Sequence, residues 1–548
     1  MVTSVPRRPS KALFLLLALF LFSSCRPAPE SGSRVPAAEG GPRLMLFLVI
    51  DQARADYMVR FQPLFTGGLK YILDRGAWFT DAHYDHADTL TAPGHAAMVT
   101  GLHPSKTGII GNEWFDRNAL AIVGSVEDPV YRQSPRHLHG TALADWIKER
   151  DPASKVFTAG PKDRSAILMG GHHADAAYWY SRRSGDWVTS RYYQQRAPDW
   201  LEKFNHSKIL DGYFGEAWEP IPVDPQVALG MGIEPVDSGM FMHGFPYAIG
   251  GDSIQPDRRF YSAVYDSPFV DLYLLRFAEA LIAAEGLGQD ASLDFLGLSL
   301  SALDAVGHDY GPNSPEILDV LLRLDRDLGE FLTAVDRSVG LENVVLSLGS
   351  DHGVMPLPEY RHSHSQEGRR TGTKDILCFQ RIGKELERKF GKDRWTVRGL
   401  YLNYEAIERH HLTHEEVEAE VAKLASECRG VKKVWTRTQM ESAEPPADPD
   451  FYFYRNGFYA DRSPDLMVQY EPYVLDLAGN GTTHGSLYDY DTHVPLVILA
   501  PGIRPMQIAD RVHPVDLAPT LAVLLGVPAP EGLDGLDRSA LLSFEEPQ

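Results

Sequence analysis

The sequence predicts an α/β fold: a large, mostly parallel central sheet sandwiched by helices, with inserted cap or accessory regions. Three observations predict it. Short, uninterrupted apolar runs recur along the chain and stop at polar residues, as strands buried on both faces do. Segments with apolar residues at helical spacing lie between those runs, the alternation expected of helices packed on both faces of a sheet. Forty-seven glycines and 38 prolines imply many turns and long loops rather than a helical bundle.

Taken in order, the chain opens with a separate piece. Arg7, Arg8 and Lys11 precede an unbroken apolar run at 12–22, too short to span a bilayer, and residues 1–24 read as a secretory signal peptide. Ser23 and Ser24 directly before Cys25 resemble a bacterial lipobox, so Cys25 is expected as a lipidated mature N-terminus. Residues 25–42, rich in Pro, Ser, Ala and Gly, read as a tether. The expected location is exported, periplasmic or cell-surface. Arg26 stands where an inner-membrane retention signal would place Asp, so the anchor is expected on the periplasmic face of an outer membrane.

The first core strand is Leu44–Ile50, which stops at Asp51. A strand-like run at 155–159 precedes Lys162 and Arg164. A helix is expected at 272–285, and the strand at 296–300 leads to Asp304. Ser314 then caps a helix with Pro315 at its first position, and Ile317, Leu321, Leu324, Leu328, Phe331 and Val335 mark its buried face. The strand at 344–348 leads to Asp351 and His352; the run at 494–499 and a helix at 515–525 close the fold. The expected core is thus 43–171, 261–364 and 479–548. Residues 172–260, dense in Tyr, Trp, Gly and Pro, are expected as one insertion. Residues 365–478 are expected as an α+β insertion, with a Thr413/Glu416 capping box and a strand at Val431–Thr436. Cys378 and Cys428 are two thiols that export would allow to pair, but Cys428 also fits a buried stripe with Val417, Val421 and Leu424.

The net charge of −21 argues against nonspecific nucleic-acid binding through phosphate neutralisation. Cleavage of the signal removes three positive charges and no acid, so the mature chain is more acidic still.

Polar residues after the strands form a constellation: Asp51, Asp304 with His308, Asp351 with His352, and His484 in Gly481-Thr-Thr-His-Gly485. In doubly wound sheets the chemistry sits past the carboxyl ends of the strands. Three Asp and three His suffice for two cation sites of three protein ligands, a donor set suited to catalytic zinc. Thr91 precedes a helix-like stretch containing Pro93, near a helix N-terminus that favours anions. It is the candidate nucleophile, and His95 reads as structural.

The blocks Val49-Ile-Asp51, Thr91-Ala-Pro-Gly-His95, Asp304-x-x-x-His308, Ser350-Asp-His-Gly353, Thr483-His-Gly485 and His513-Pro-Val-Asp516 resemble, in order, those of the alkaline phosphatase superfamily. The resemblance covers residues ~43 to ~540 and implies an alkaline phosphatase-like fold and two Zn2+ per chain. One zinc would be held by Asp304, His308 and His484, with His493 as a rival third histidine. The other would be held by Asp51, Asp351 and His352, with Thr91 as a further ligand. Neither Cys378 nor Cys428 lies in an arylsulfatase formylglycine motif. Threonine nucleophiles belong to the nucleotide pyrophosphatase/phosphodiesterase branch and to the PafA-like, phosphate-irrepressible monoesterases. Lys162 and Arg164, with Asn112 in Gly111-Asn-Glu-Trp114, resemble the latter branch; a Lys/Arg pair suits a monoester dianion. The resulting expectation is a monomeric phosphomonoesterase acting on small-molecule phosphate monoesters through a phosphothreonine on Thr91. It binds no nucleic acid and meets the membrane only through its N-terminal lipid. The alternatives are a phosphodiesterase of the same superfamily and a non-catalytic, metal-binding surface lipoprotein.

Overall fold

The computed structural model describes residues 41–235, 244–251, 253–477 and 479–545. The expected export signal, most of the tether and Cys25 lie outside them. Nine strands form one sheet: β1 (Leu44–Ile50), β2 (Ala77–Phe79), β3 (Val156–Gly160), β4 (Ala176–Tyr180), β5 (Trp187–Val188), β6 (Asp294–Leu300), β7 (Val344–Gly349), β8 (Leu496–Leu499) and β9 (Met506–Ile508). Their order is β9-β2-β8-β7-β1-β6-β3-β4-β5. β1 pairs in parallel with both β6 and β7, β6 with β3, and β3 with β4. β8 runs against its neighbours β7 and β2, and β5 against β4, so the sheet is mixed but mostly parallel.

β1 shows why the sheet is a middle layer. All seven of its residues are fully buried, and they alternate between two cores. Leu44, Leu46, Leu48 and Ile50 face one core with α3 (Phe269–Glu285) and α5 (Pro315–Val339). Met45, Phe47 and Val49 face the other with α1 (Thr91–Thr100) and α8 (Leu517–Leu525). Truncating one such side chain to Ala typically costs ~2–5 kcal/mol. The Ser314 hydroxyl accepts from Ile317 N at 3.2 Å, so the expected cap of α5 is present. α2 (Asp163–Gly170) follows β3, and α4 (Ala302–Tyr310) follows β6.

The sheet continues past residue 171. β4 and β5 fall within the segment 172–260, where an insertion was expected. Their sequence, Ala-Ala-Tyr-Trp-Tyr and Trp-Val, is aromatic rather than aliphatic, which blurs an edge strand into the Tyr- and Trp-rich loops beside it. Residues 365–478 carry a small core of their own, including Ile382, Leu386, Trp395, Val417, Val421 and Leu466. Val431–Thr436 pairs antiparallel with Leu466–Tyr470. The Thr413/Glu416 capping box starts α7 (His414–Ser426). Cys378 on α6 (Thr373–Phe390) forms a disulfide with Cys428, which closes the choice between bridge and thiol. Among the described residues, no helix is long and apolar enough to cross a membrane.

Candidate active site

The parallel strands deliver their following residues to one end of the sheet. Asp51 follows β1, Asp351 and His352 follow β7, Asp304 and His308 ride on α4 after β6, and Lys162 and Arg164 begin α2 after β3. Two glycines allow the close approaches this needs. A Cβ on Gly94 of α1 would sit 2.3 Å from the Asp351 carbonyl oxygen. Gly481, at φ +72°, brings the His484 loop so near α4 that a Cβ would meet the His308 carbonyl oxygen at 2.2 Å.

The six expected ligands fall into two groups, Asp304/His308/His484 and Asp51/Asp351/His352. Within each, the potential ligand atoms lie within 4.8 Å of one another. His308 Nε2 is 3.2 Å and His484 Nε2 3.7 Å from Asp304 Oδ1. His352 Nε2 is 3.6 Å from Asp51 Oδ1 and 3.6 Å from Asp351 Oδ2. Each histidine is oriented through its other nitrogen: Nδ1 donates to the carbonyl of Thr482 from His308, of Thr89 from His484 and of Gly353 from His352. That leaves Nε2 as the ligating atom, the arrangement outer-shell partners impose at metal sites. Among the described residues, Asp51 Oδ1, Asp351 Oδ2 and His352 Nε2 are buried without a hydrogen-bond partner. Buried polar atoms rarely stay unpaired, and this donor set fits divalent cations of the zinc type.

The electrostatics are divided: burial acts to lower His308, but Asp304 outweighs it and raises that imidazole. Burial, then the nearby Asp304 and Asp351, pushes the Asp51 carboxyl well up. Burial also acts to raise Asp304, but Lys162 and His308 outweigh it and hold that carboxyl far below the usual range. Burial, reinforced by His352 and His308, holds His484 well below the ordinary imidazole range and hence neutral, as a ligand must be.

Thr91, 1% exposed, is the first residue of α1, and its Oγ lies 3.3 Å from Lys162 Nζ. Lys162 Nζ is also 2.6 Å from Asp51 Oδ2 and 2.6 Å from Asp304 Oδ2, spanning both ligand groups. Asn112 Oδ1 accepts from Ala92 N at 2.9 Å, which fixes its amide beside the start of α1. Arg164 Nε is buried and has no hydrogen-bond partner among the described residues.

His95, read as structural, donates from Nδ1 to the Thr91 carbonyl at 2.8 Å and lies 3.2 Å from Asp351 Oδ2, which sets it between Thr91 and Asp351. Gln52 was missed. Its Nε2 donates to Asp304 Oδ1 at 2.7 Å and its N–H to Asp351 Oδ1 at 3.1 Å, reaching both groups from a left-handed backbone at φ +67°. Its position after Asp51 at a strand end was the only available signal.

His493 belongs elsewhere. It stacks on His83 at 4.2 Å with an interplanar angle of 9°, beside Asp81. Lone pairs in parallel planes do not converge on one ion, and Arg511 pairs with Asp81 at 2.7 Å. A cavity of about 910 Å³ opens beside Leu90, Thr483 and His484 and is walled by α6.

Residues 45–487 match the family described as type I phosphodiesterase / nucleotide pyrophosphatase. A Myroides odoratus protein named calcium-transporting ATPase is 33% identical over 90% of this chain and 93% of its own. Alkaline phosphatase PhoV of Synechococcus elongatus is 30% identical over 96% and 98%. The crystal structure of alkaline phosphatase PafA superposes with a TM-score of 0.82 at 28% identity, covering 92% of this chain and 99% of that one.

Proposed function

Because the chain belongs to the type I phosphodiesterase / nucleotide pyrophosphatase family of phosphoric ester hydrolases, we propose that it is an exported, zinc-dependent alkaline phosphatase that hydrolyses phosphate monoesters. The names of its relatives PhoV and PafA support the monoester reading. The observation that carries it is the cation beside the proposed nucleophile, Lys162 Nζ at 3.3 Å from Thr91 Oγ; Arg164, whose Nε has no partner among the described residues, follows two residues on. A monoester dianion offers more charge and one more non-bridging oxygen than a diester, and fixed cations favour it.

In this reading Thr91 Oγ attacks phosphorus in line and expels the alcohol, leaving a phosphothreonine. Lys162 favours the alkoxide form of Thr91. Asn112, Lys162 and Arg164 hold the non-bridging oxygens as charge redistributes. Water then cleaves the Thr91–phosphorus bond and inorganic phosphate leaves. Asp304, His308 and His484 would hold one zinc and Asp51, Asp351 and His352, with Thr91, the other. Bound there, the two ions would supply Lewis-acid stabilisation of the attacking and leaving oxygens. Residues 1–24 would direct export and Cys25 would carry the lipid.

The rival reading is a phosphodiesterase, favoured by the family's description alone. The test of the proposed chemistry is rapid quenching with a phosphorus-labelled aryl phosphate. The native protein is expected to trap label on Thr91 and Thr91→Ala to trap none. Full turnover by Thr91→Ala would overturn the nucleophile assignment.

A further inference from the structure

The cavity beside His484 has a chemical character that the site itself lacks. Its wall carries five carboxylates, Asp88, Asp375, Glu471, Asp476 and Asp491, and among the described residues no Lys or Arg lines it. Asp375 is neutralised by Arg369. Glu471 and Asp476 are exposed to solvent, while burial pushes the Asp88 carboxyl up to about 6 and the Asp491 carboxyl up to about 7. Asp476 accepts from Tyr470 OH and Thr371 Oγ, neutral donors that leave its charge in place. Asp491 is 1% exposed, and its Oδ1 has no hydrogen-bond partner. Lys432 stands over the Tyr488 ring and acts on Glu471 through space, but it does not line the cavity and its hydrogen bond goes to Asp450.

The same wall presents five aromatic rings, Phe379, Tyr454, Tyr470, Tyr488 and Tyr490. Aromatic faces and carboxylates together attract ammonium groups, and an ammonium is best held where no competing cation is present. At about 910 Å³ the space suits a small organic ligand. It meets the site through His484, Thr483 and Leu90, on the side of the Asp304/His308/His484 group. Thr91 and the Lys162/Arg164 pair therefore meet the phosphoryl group, and the cavity is left to the alcohol.

The geometry points to a leaving-group subsite that selects phosphate monoesters whose alcohol bears an ammonium group over esters of neutral or carboxylated alcohols. This rests on the phosphomonoesterase reading and names its substrate class. The reaction remains plain hydrolysis: water adds, the ester P–O bond breaks, and the ammonium alcohol and phosphate leave.

The experiment measures kcat/KM on the zinc-loaded protein for choline phosphate and for its neutral isostere, 3,3-dimethylbutyl phosphate. Phosphoglycolate serves as the carboxylated ester. The measurement is repeated in Glu471→Gln/Asp476→Asn, outside the catalytic groups. Comparing the two proteins cancels the intrinsic reactivity difference between the esters. The double variant is expected to lower the choline-to-isostere ratio about tenfold while leaving the neutral ester unchanged. It should also raise turnover of phosphoglycolate. A ratio that the variant leaves unchanged or raises overturns the inference while the neutral ester still reports an intact phosphatase. Absence of turnover on every monoester, an aryl phosphate included, overturns the functional reading and the subsite with it.

Discussion

Lys162 Nζ lies 2.6 Å from Asp304 Oδ2 in the buried heart of the site, where it also holds Asp51. One ammonium thus stands between two ligand groups that together contain three buried carboxylates. Burial acts to lower its pKa, but Asp304 and Asp51 outweigh burial and raise it above the ordinary lysine value. Lys162→Met should therefore act twice. In metal-free protein it leaves buried carboxylates uncompensated, a change that typically costs ~3–5 kcal/mol. With zinc added that loss should shrink. Turnover of an aryl phosphate should still fall ~100- to 1000-fold, the usual effect of removing one transition-state donor. Thermal melts with chelator and with zinc, beside kcat/KM, check both halves. Equal destabilisation in the two melts would contradict the charge argument.

Gln52 should govern metal affinity rather than chemistry. It touches no candidate reacting atom but donates to Asp304 and Asp351, one ligand from each group. Gln52→Ala is expected to weaken zinc binding ~10- to 100-fold, as loss of an outer-shell partner does. Competition with a chelating dye measures this. At saturating zinc, kcat should recover, and a kcat loss that zinc does not restore would refute the positioning role.

Arg164 should discriminate between substrates. Its unpartnered, buried Nε suits an oxygen that only a dianionic ester supplies in full. Arg164→Ala is expected to lower kcat/KM for an aryl monoester at least ~10-fold more than for the corresponding methyl diester. Equal losses would remove the main argument for the monoester branch.

His103 should make stability depend on pH away from the site. Burial opposes its charge, but hydrogen bonds to Asp534 and Asp85 outweigh burial and push the imidazole up to about 9. Its contacts are Nε2 to Asp85 at 2.8 Å and Nδ1 to Asp534 at 3.3 Å. A raised histidine stabilises fully below its unfolded value near 6.5, and the contribution is lost as pH rises through 9. His103→Gln should flatten the stability profile between those values by at most about 3 kcal/mol. Denaturant titrations across that range are the measurement, and parallel profiles for both proteins would contradict it.

Much of this was legible in the chain because a buried parallel strand has no polar face. β1, β6 and β7 announce themselves as apolar runs, and the first polar residue after β1 and β7 falls at the site end of the sheet. Those endings supplied most of the candidate ligands, and their division into two groups is what the family resemblance implied. The aromatic strands β4 and β5 did not announce themselves, which is why they were taken into an insertion. Gln52 stayed hidden for another reason. It acts through hydrogen bonds to residues about 250 to 300 positions away, which local spacing does not encode. The acidic cavity is likewise assembled from segments around residues 88, 380 and 480, and no single stretch of sequence contains it.

A site that serves a phosphate dianion, as proposed above, sets the ratio of kcat/KM for an aryl phosphate to that for its methyl diester, measured on the zinc-loaded protein at alkaline pH. The monoester should be preferred by orders of magnitude, with activity removed by chelation and restored by zinc. A preference for the diester in the same preparation would contradict the account.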